Sequence, residues 1–208
     1  MTGDGPQHPG TVHLTTGAPR RQGHPPAQER GRRRRQALVR AAAELLHEGG
    51  SLAVTHRAVA RRAHLPLAAT TYYFASRDEL VAEAFTLLVA GELAALRAAA
   101  TGPDPFGALL SAAQADRPRQ IGLWELYVQA GRDPALQQVA RAWTDGCGEI
   151  LAGALGSAGH SPAPDDVRLL AALLTGLWLR QLVEERPHSA QEAHVLLGRA
   201  LALLERTD

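Results

Sequence analysis

The chain contains no lysine, so all 22 of its basic residues are arginine. Every permanent positive charge therefore sits on a forked guanidinium, a donor suited to phosphate and guanine. Cys147 is the single cysteine, which excludes an intramolecular disulfide and suits a reducing cytosol. No apolar run is long enough to span a membrane. The longest, "LLAALLTGLWL" at 169–179, stops at Arg180, short of the roughly 20 residues a span needs. Residues 1–35 hold no apolar stretch of the kind a signal peptide carries. The expectation is a cytoplasmic protein with no membrane partner. No segment alternates as a strand, and no internal repeat is present. Aromatic residues make up only 4% of the chain.

What is there is a chain of 208 residues, 45% hydrophobic, with charge unevenly placed. Residues 1–80 carry twelve arginines against six acids, and residues 81–208 carry ten against fifteen. A basic front and an acidic back point to a front half that meets a polyanion.

Residues 1–29 are rich in Gly, Pro, Gln, His and Thr without periodicity, and disorder is expected there. The domain reading is a disordered Arg-rich tail over 1–33, a unit of short helices over 34–80 and a second helical unit over 81–208. The run "RGRRRR" at 30–35 is either a solvated tail or an arm that enters the minor groove. Helical periodicity starts near Arg34, with Leu38, Ala42, Leu45 and Leu46 on one face. Gly49 and Gly50 end that helix. Thr55 caps a second helix that runs to about Ala63. Leu65–Pro66 break it, and a third short helix covers Leu67 to Phe74. Ser76 and Glu79 form a capping box that opens a long fourth helix from Arg77. Further breaks at 101–105, 116–118, 131–134 and 156–166 and a last one before residue 189 bring the expected total to about nine helices. The fold class is all-α.

Three short helices with a tight break between the second and third match helix-turn-helix geometry. "TTYYFASRDEL" at 70–80 places three rings side by side. Small residues and threonine let a helix backbone come close to base edges, so Ala68, Ala69 and Thr71 suit a groove-facing surface. Tyr72 and Tyr73 can donate hydroxyls to phosphates; the alternative, that they are core rings, has less weight and fits Tyr73 better than Tyr72. Phe74 is expected to turn inward and lock the third helix on the first.

With these residues in place, 38–80 resembles the DNA-binding domain of the TetR family of bacterial transcription regulators. "LVRAAAELLHEGG", "THRAVARRAHLP" and "TTYYFASRDEL" follow one another without a gap in the family's spacing. The resemblance implies a transcriptional regulator, most readily a repressor that binds a double-stranded DNA operator and is released by a small-molecule effector. It implies Thr55, His56 and Arg57 at the start of the second helix as base or phosphate contacts. It implies Leu67, Ala68, Ala69 and Thr71 in the groove, with Tyr72, Tyr73 and Arg77 on the DNA backbone. His64 departs from the family pattern, standing where glycine is usual in the turn, and Leu67 stands where a polar residue is frequent.

The last two helices, about 165–186 and 189–206, are too apolar for a monomer's surface, and a homodimer through them is expected. Trp124, Tyr127, Trp143 and Trp178 are candidate linings of one apolar effector cavity. An alternative function is a small-molecule-binding helical protein whose DNA-binding unit is vestigial. Enzyme chemistry has little support. Cys147 lacks a histidine close in sequence, no residue set completes a zinc site, and the glycines near 146–159 lack the lysine of a phosphate-binding loop. No metal and no cofactor is expected.

Overall fold

The computed structural model describes Met1 and residues 27–102, 105–112, 116–184 and 189–204. Nine helices and no strand occur among the described residues: α1 (Ala27–Ala53), α2 (His56–Arg62), α3 (Leu67–Tyr73), α4 (Arg77–Ala99), α5 (Pro105–Ala112), α6 (Arg117–Gln129), α7 (Pro134–Ser157), α8 (Pro164–Glu184) and α9 (Ser189–Leu204).

The first helix begins earlier than its apolar periodicity suggests. Residues 27–33, expected to belong to a disordered tail, are helical, and the arginine run lies on α1 rather than on a free arm. The cause is local charge. The Glu29 carboxylate accepts from Arg32 Nη2 at 2.7 Å and from Arg33 Nε at 3.0 Å, three and four residues on. Such pairs support an exposed helix, and an acid suits the positive first turn. The remainder of that expected tail, residues 2–26, lies outside the described residues. At its other end α1 breaks where the glycines predict. Gly50 has φ 66 and ψ −169, a region open essentially to glycine alone.

The caps fall on the expected residues. Thr55 Oγ1 accepts from Ala58 N at 3.1 Å, and Ser76 Oγ accepts from Glu79 N at 3.1 Å. Glu79 reaches back one residue further than in a standard capping box, accepting from Ala75 N at 2.7 Å. Farther along the chain, Asp116 and Asp133 cap α6 and α7.

Leu38, Ala42 and Leu46 of α1, Val59 of α2 and Phe74 after α3 are buried in one core with Leu80, Ala84 and Phe85 of α4. Phe74 is 1% exposed, as expected of the anchor. Arg35 lies over its ring at 5.2 Å and donates to Glu83 on α4 at 2.8 Å. α4 is the spine of the molecule. It packs on both α1 and α7, meeting α7 at Leu93 and Arg97. α6 crosses α1 directly, where Gly122 sits so close that a Cβ would lie 3.0 Å from the Leu46 carbonyl oxygen. A buried carboxylate, Glu92 of α4, pairs with Arg119 of α6 and accepts from Gln120 at 3.4 Å. The first three helices and the later ones are thus joined through α4 and α6, not merely tethered.

On α8, Leu170, Leu174 and Trp178 face the core, while Leu169, Leu179 and Val183 are exposed. On α9, Ala193 and Leu197 are buried, while Val195 and Leu203 are exposed. The α8–α9 pair therefore carries a second apolar face turned away from its own domain. No helix among the described residues is long and apolar enough to cross a membrane.

Candidate nucleic-acid interface

α2 ends in a Schellman turn, the backbone device that sets the angle at which α3 leaves. Leu65 N donates to Ala60 O at 2.9 Å and His64 N to Arg61 O at 3.2 Å. At the centre of this turn His64 takes φ 53, the left-handed conformation that glycine adopts most cheaply. Here the departure from glycine noted in the sequence has a physical consequence. The turn is kept, and its strain is borne by a histidine.

This turn presents α3 with one face inward and one outward. Thr70 is fully buried and donates its hydroxyl to Leu67 O at 2.7 Å. Thr70 is not among the groove-facing candidates, which name its neighbour Thr71 instead. Thr71 is exposed and donates to Ala68 O at 3.2 Å. Leu67 is 47% and Tyr72 81% exposed, and Ala68 is exposed too. A surface of Leu67, Ala68, Thr71 and Tyr72 is therefore available to a groove, with Ala69 half-buried behind it. Tyr73 is half-buried and packs on the core, meeting Tyr72 edge-on at 4.9 Å between ring centres. Of the two rings, Tyr73 lends support to the core while Tyr72 stands exposed.

Ion pairing sorts the arginines. Arg62 donates to Glu48 at 2.9 Å and to Glu44 at 3.2 Å, tying α2 to α1. These contacts raise the Arg62 pKa, and the hydrogen bond from Arg62 lowers that of Glu48. Arg77 turns inward, donating Nε to Val54 O at 2.8 Å and Nη2 to Ser51 O. Its guanidinium closes the α1–α2 connection, so the expected backbone contact from Arg77 is not what its side chain is placed to make. Arg57 and Arg61, one turn apart on the exposed side of α2, have no carboxylate partner among the described residues. Arg61 escaped sequence reading, although its spacing of four from Arg57 was the available signal. Thr55 is exposed beside them. His56 is half-buried, with its Nδ1 covered and unpartnered. A vestigial unit would have no reason to keep an open helix face beside uncommitted arginines.

The four candidate effector rings do not share one cavity. Trp124 lines a groove of about 770 Å³ with Gly50, Leu52, Glu125 and, from α8, Leu179 and Val183. Tyr127 opens instead on a shallow depression of about 470 Å³, its hydroxyl 3.1 Å from Thr144 Oγ1. Three residues along a helix leave an offset of about 60°, enough to put neighbouring rings on different rims, although they still touch edge-on at 5.3 Å. Trp143 is buried core. Trp178 borders an interior void of about 20 Å³ beside Cys147, too small for an organic ligand. Burial pushes the Cys147 thiol pKa up to about 12, the opposite of a reactive cysteine.

Comparison with known proteins agrees with this geometry. Residues 38–84 match the family described as "Bacterial regulatory proteins, tetR family", and residues 103–203 match "Tetracyclin repressor-like, C-terminal domain". The chain is 32% identical over 176 residues to the HTH-type transcriptional regulator BetI of Rhizobium meliloti strain 1021, covering 79% of this chain and 85% of that one. The multidrug binding protein EbrR, crystallised with imidazole, superposes with a TM-score of 0.66 at 32% identity over 80% of this chain and 94% of that one. A TetR-family member of Streptomyces coelicolor A3, SCO1917, gives 0.64 at 32% identity over 80% and 97%. With the open recognition helix and both halves of the chain accounted for, the protein belongs to the TetR family of helix-turn-helix transcriptional regulators, not to an enzyme family.

Proposed function

We propose that the protein is a cytoplasmic homodimeric repressor that holds an operator with α3 of each protomer and releases it when a small organic cation enters the Trp124 groove. The supporting observation is where that groove lies. Its floor is Trp124 on α6, its rim is the Gly49–Leu52 joint of the DNA-binding unit, and its far wall is α8. The Glu125 carboxylate in the lining attracts a cation by charge, and the largely buried Trp124 lies beside it. The volume suits a drug-sized molecule. EbrR has been crystallised with ethidium, proflavin and malachite green, all aromatic cations.

The exposed face of α8 and α9, with Leu169, Leu179, Val183, Val195 and Leu203, is the dimer surface in this reading. Leu179 and Val183 belong to both groove and dimer face. An occupant would press on the α1–α2 joint and on the subunit contact together, changing the separation of the two α3 helices. Helix-turn-helix dimers read half-sites about 34–36 Å apart. A hundredfold release requires the effector to prefer the mismatched spacing by about 2.7 kcal/mol, an ordinary coupling energy.

The test uses tetraphenylphosphonium, a cation that does not intercalate. Wild-type protein should bind a duplex enriched from a random pool, and the cation should raise Tm without DNA and lower affinity for the duplex. Glu125→Gln should weaken both responses. A cation that leaves Tm and DNA affinity unchanged would remove the effector part of this reading. A monomer at micromolar concentration would remove the dimer part.

A further inference from the structure

The first half of α7 carries a polar stripe where a helix beside another helix is usually apolar. Gln137, Arg141, Thr144 and Asp145 recur at the spacing of one helix face, and all four line the depression of about 470 Å³ whose opposite wall is Tyr127, near the end of α6. That wall is fixed in place. The Thr144 hydroxyl donates to Ala140 O at 3.1 Å, which leaves the Tyr127 hydroxyl as donor in the 3.1 Å bond between the two side chains. None of the lining belongs to α8 or α9, so the proposed dimer face does not consume it.

Two charges of opposite sign stand open on this stripe. Arg141 and Asp145 are exposed, and neither has a partner among the described residues. They do not pair with each other, although they are one helical turn apart. An acid placed N-terminal to a base is the better order for such a pair. Glu29 pairs with Arg32 and Arg33, and Asp165 with Arg168, in that order. On α7 the order is reversed, and both side chains remain available. A simple anion drawn to Arg141 would meet Asp145, and a simple cation drawn to Asp145 would meet Arg141. A molecule that carries both charges escapes either repulsion.

From this arrangement we infer that the depression between α6 and α7 is a binding site for a small zwitterion, with its carboxylate on Arg141, its ammonium on Asp145 and its carbon chain against Tyr127. The four-residue offset is a rise of about 6 Å along the helix. An extended ω-amino acid such as 5-aminopentanoate, or a dipeptide, holds its charges about that far apart. Glycine, with its charges only two bonds apart, cannot reach both. The site is distinct from the Trp124 groove and does not depend on a cation entering that groove.

The experiment titrates the full chain with 5-aminopentanoate at low salt and follows binding by saturation-transfer NMR. Exposed ion pairs contribute little each, so a Kd of about 1 mM is expected. Pentylamine and pentanoate, which carry one charge each, should bind at least about fivefold more weakly, and glycine should not bind. Tighter binding of glycylglycine than of 5-aminopentanoate would assign the site to a dipeptide, and the reverse order to an ω-amino acid. Either order supports the two-charge spacing. Arg141→Gln should weaken 5-aminopentanoate about three- to fivefold and improve pentylamine. Asp145→Asn should weaken it as much and improve pentanoate. Exchanging the charges, with Arg141→Asp and Asp145→Arg together, should restore binding of the zwitterion end for end. Circular dichroism should show every variant folded, as each altered side chain is exposed. No transfer signal from 5-aminopentanoate would overturn the site, as would equal binding of pentylamine or pentanoate, or single variants that bind like wild type. Displacement of 5-aminopentanoate by tetraphenylphosphonium would also overturn it, by placing both ligands in one space. A failure of tetraphenylphosphonium to change Tm or DNA affinity would instead overturn the effector reading alone.

Discussion

The front and back of this molecule are stabilised in different ways. α2 and α3 have seven residues each, far below the length at which a helix persists alone. They are held by a few discrete devices: the Thr55 cap, the Schellman turn at His64, the buried Phe74 and the inward strut of Arg77. α4, α7 and α8 have 23, 24 and 21 residues, and stacked leucines share the load along them. A unit built from few devices can present an open helix at a defined angle, but each device is then hard to replace. A unit built from many similar apolar neighbours tolerates the removal of one and can shift, as the proposed release by a ligand requires.

The largest expected effect tests this contrast directly. Phe74→Ala removes a fully enclosed ring and should cost about 3–5 kcal/mol. Leu155→Ala, equally enclosed on α7, should cost about 2–5 kcal/mol. Urea denaturation should rank them as similar. Duplex binding well below both transitions should separate them, because only Phe74→Ala frees α3 from α1. If Leu155→Ala abolishes binding as completely, the division into discrete and shared support is wrong.

Next in size is Gly50→Ala. Its φ of 66 and ψ of −169 should cost an alanine about 1–3 kcal/mol. The new Cβ would also stand 2.5 Å from Glu125 Oε2, a side-chain end that can move aside. Adding Glu125→Ala to Gly50→Ala should therefore recover little of the missing stability. Substantial recovery would place the cost in the clash between the two halves, not in the backbone of the joint.

The sequence disclosed the front half more fully because its devices are local. A cap, a left-handed turn residue and an anchor ring are each defined by a few consecutive positions, so "THRAVARRAHLP" and the run from Thr70 to Leu80 could be read directly. The back half yielded its helix boundaries for the same reason, through Asp116, Asp133 and the prolines. Its cavities stayed hidden. Whether Trp124 and Tyr127 face one space depends on which helices flank α6, and that is a long-range property. The arginines were misjudged for a related reason. Arg77 and Arg57 are indistinguishable by type, and only the carbonyls of Ser51 and Val54 in space commit one of them. The α1 extension was missed because apolar periodicity marks burial, and this stretch is held by charge pairs on a solvated surface.

A smaller effect compares like devices across the two halves. Thr55→Ala and Asp133→Ala each remove an N-cap, a destabilisation of about 1 kcal/mol. Thermal melts should show comparable shifts, since both caps accept a single backbone N–H. Duplex affinity should fall only for Thr55→Ala, because that cap seats the helix carrying Arg57. An equal fall in affinity for Asp133→Ala would mean that α7 strain reaches α3 without any effector.

The smallest expected effect has the opposite sign. His64 occupies the left-handed position of the Schellman turn, where a side chain costs roughly 1–2 kcal/mol relative to the right-handed region. Glycine removes that cost but adds freedom to the unfolded chain, which takes back part of the gain. His64→Gly should therefore stabilise the protein by about 0.5 kcal/mol, a rise in Tm of about 1–2 °C at fixed protein concentration. The carbonyls of Ala60 and Arg61 keep their donors in either case, so α3 should leave the turn at the same angle and duplex affinity should hold. A lower Tm would mean that the imidazole makes an interaction worth more than the strain it imposes. The turn would then join Phe74 among the devices of the front half that depend on a particular side chain, not only on a backbone shape.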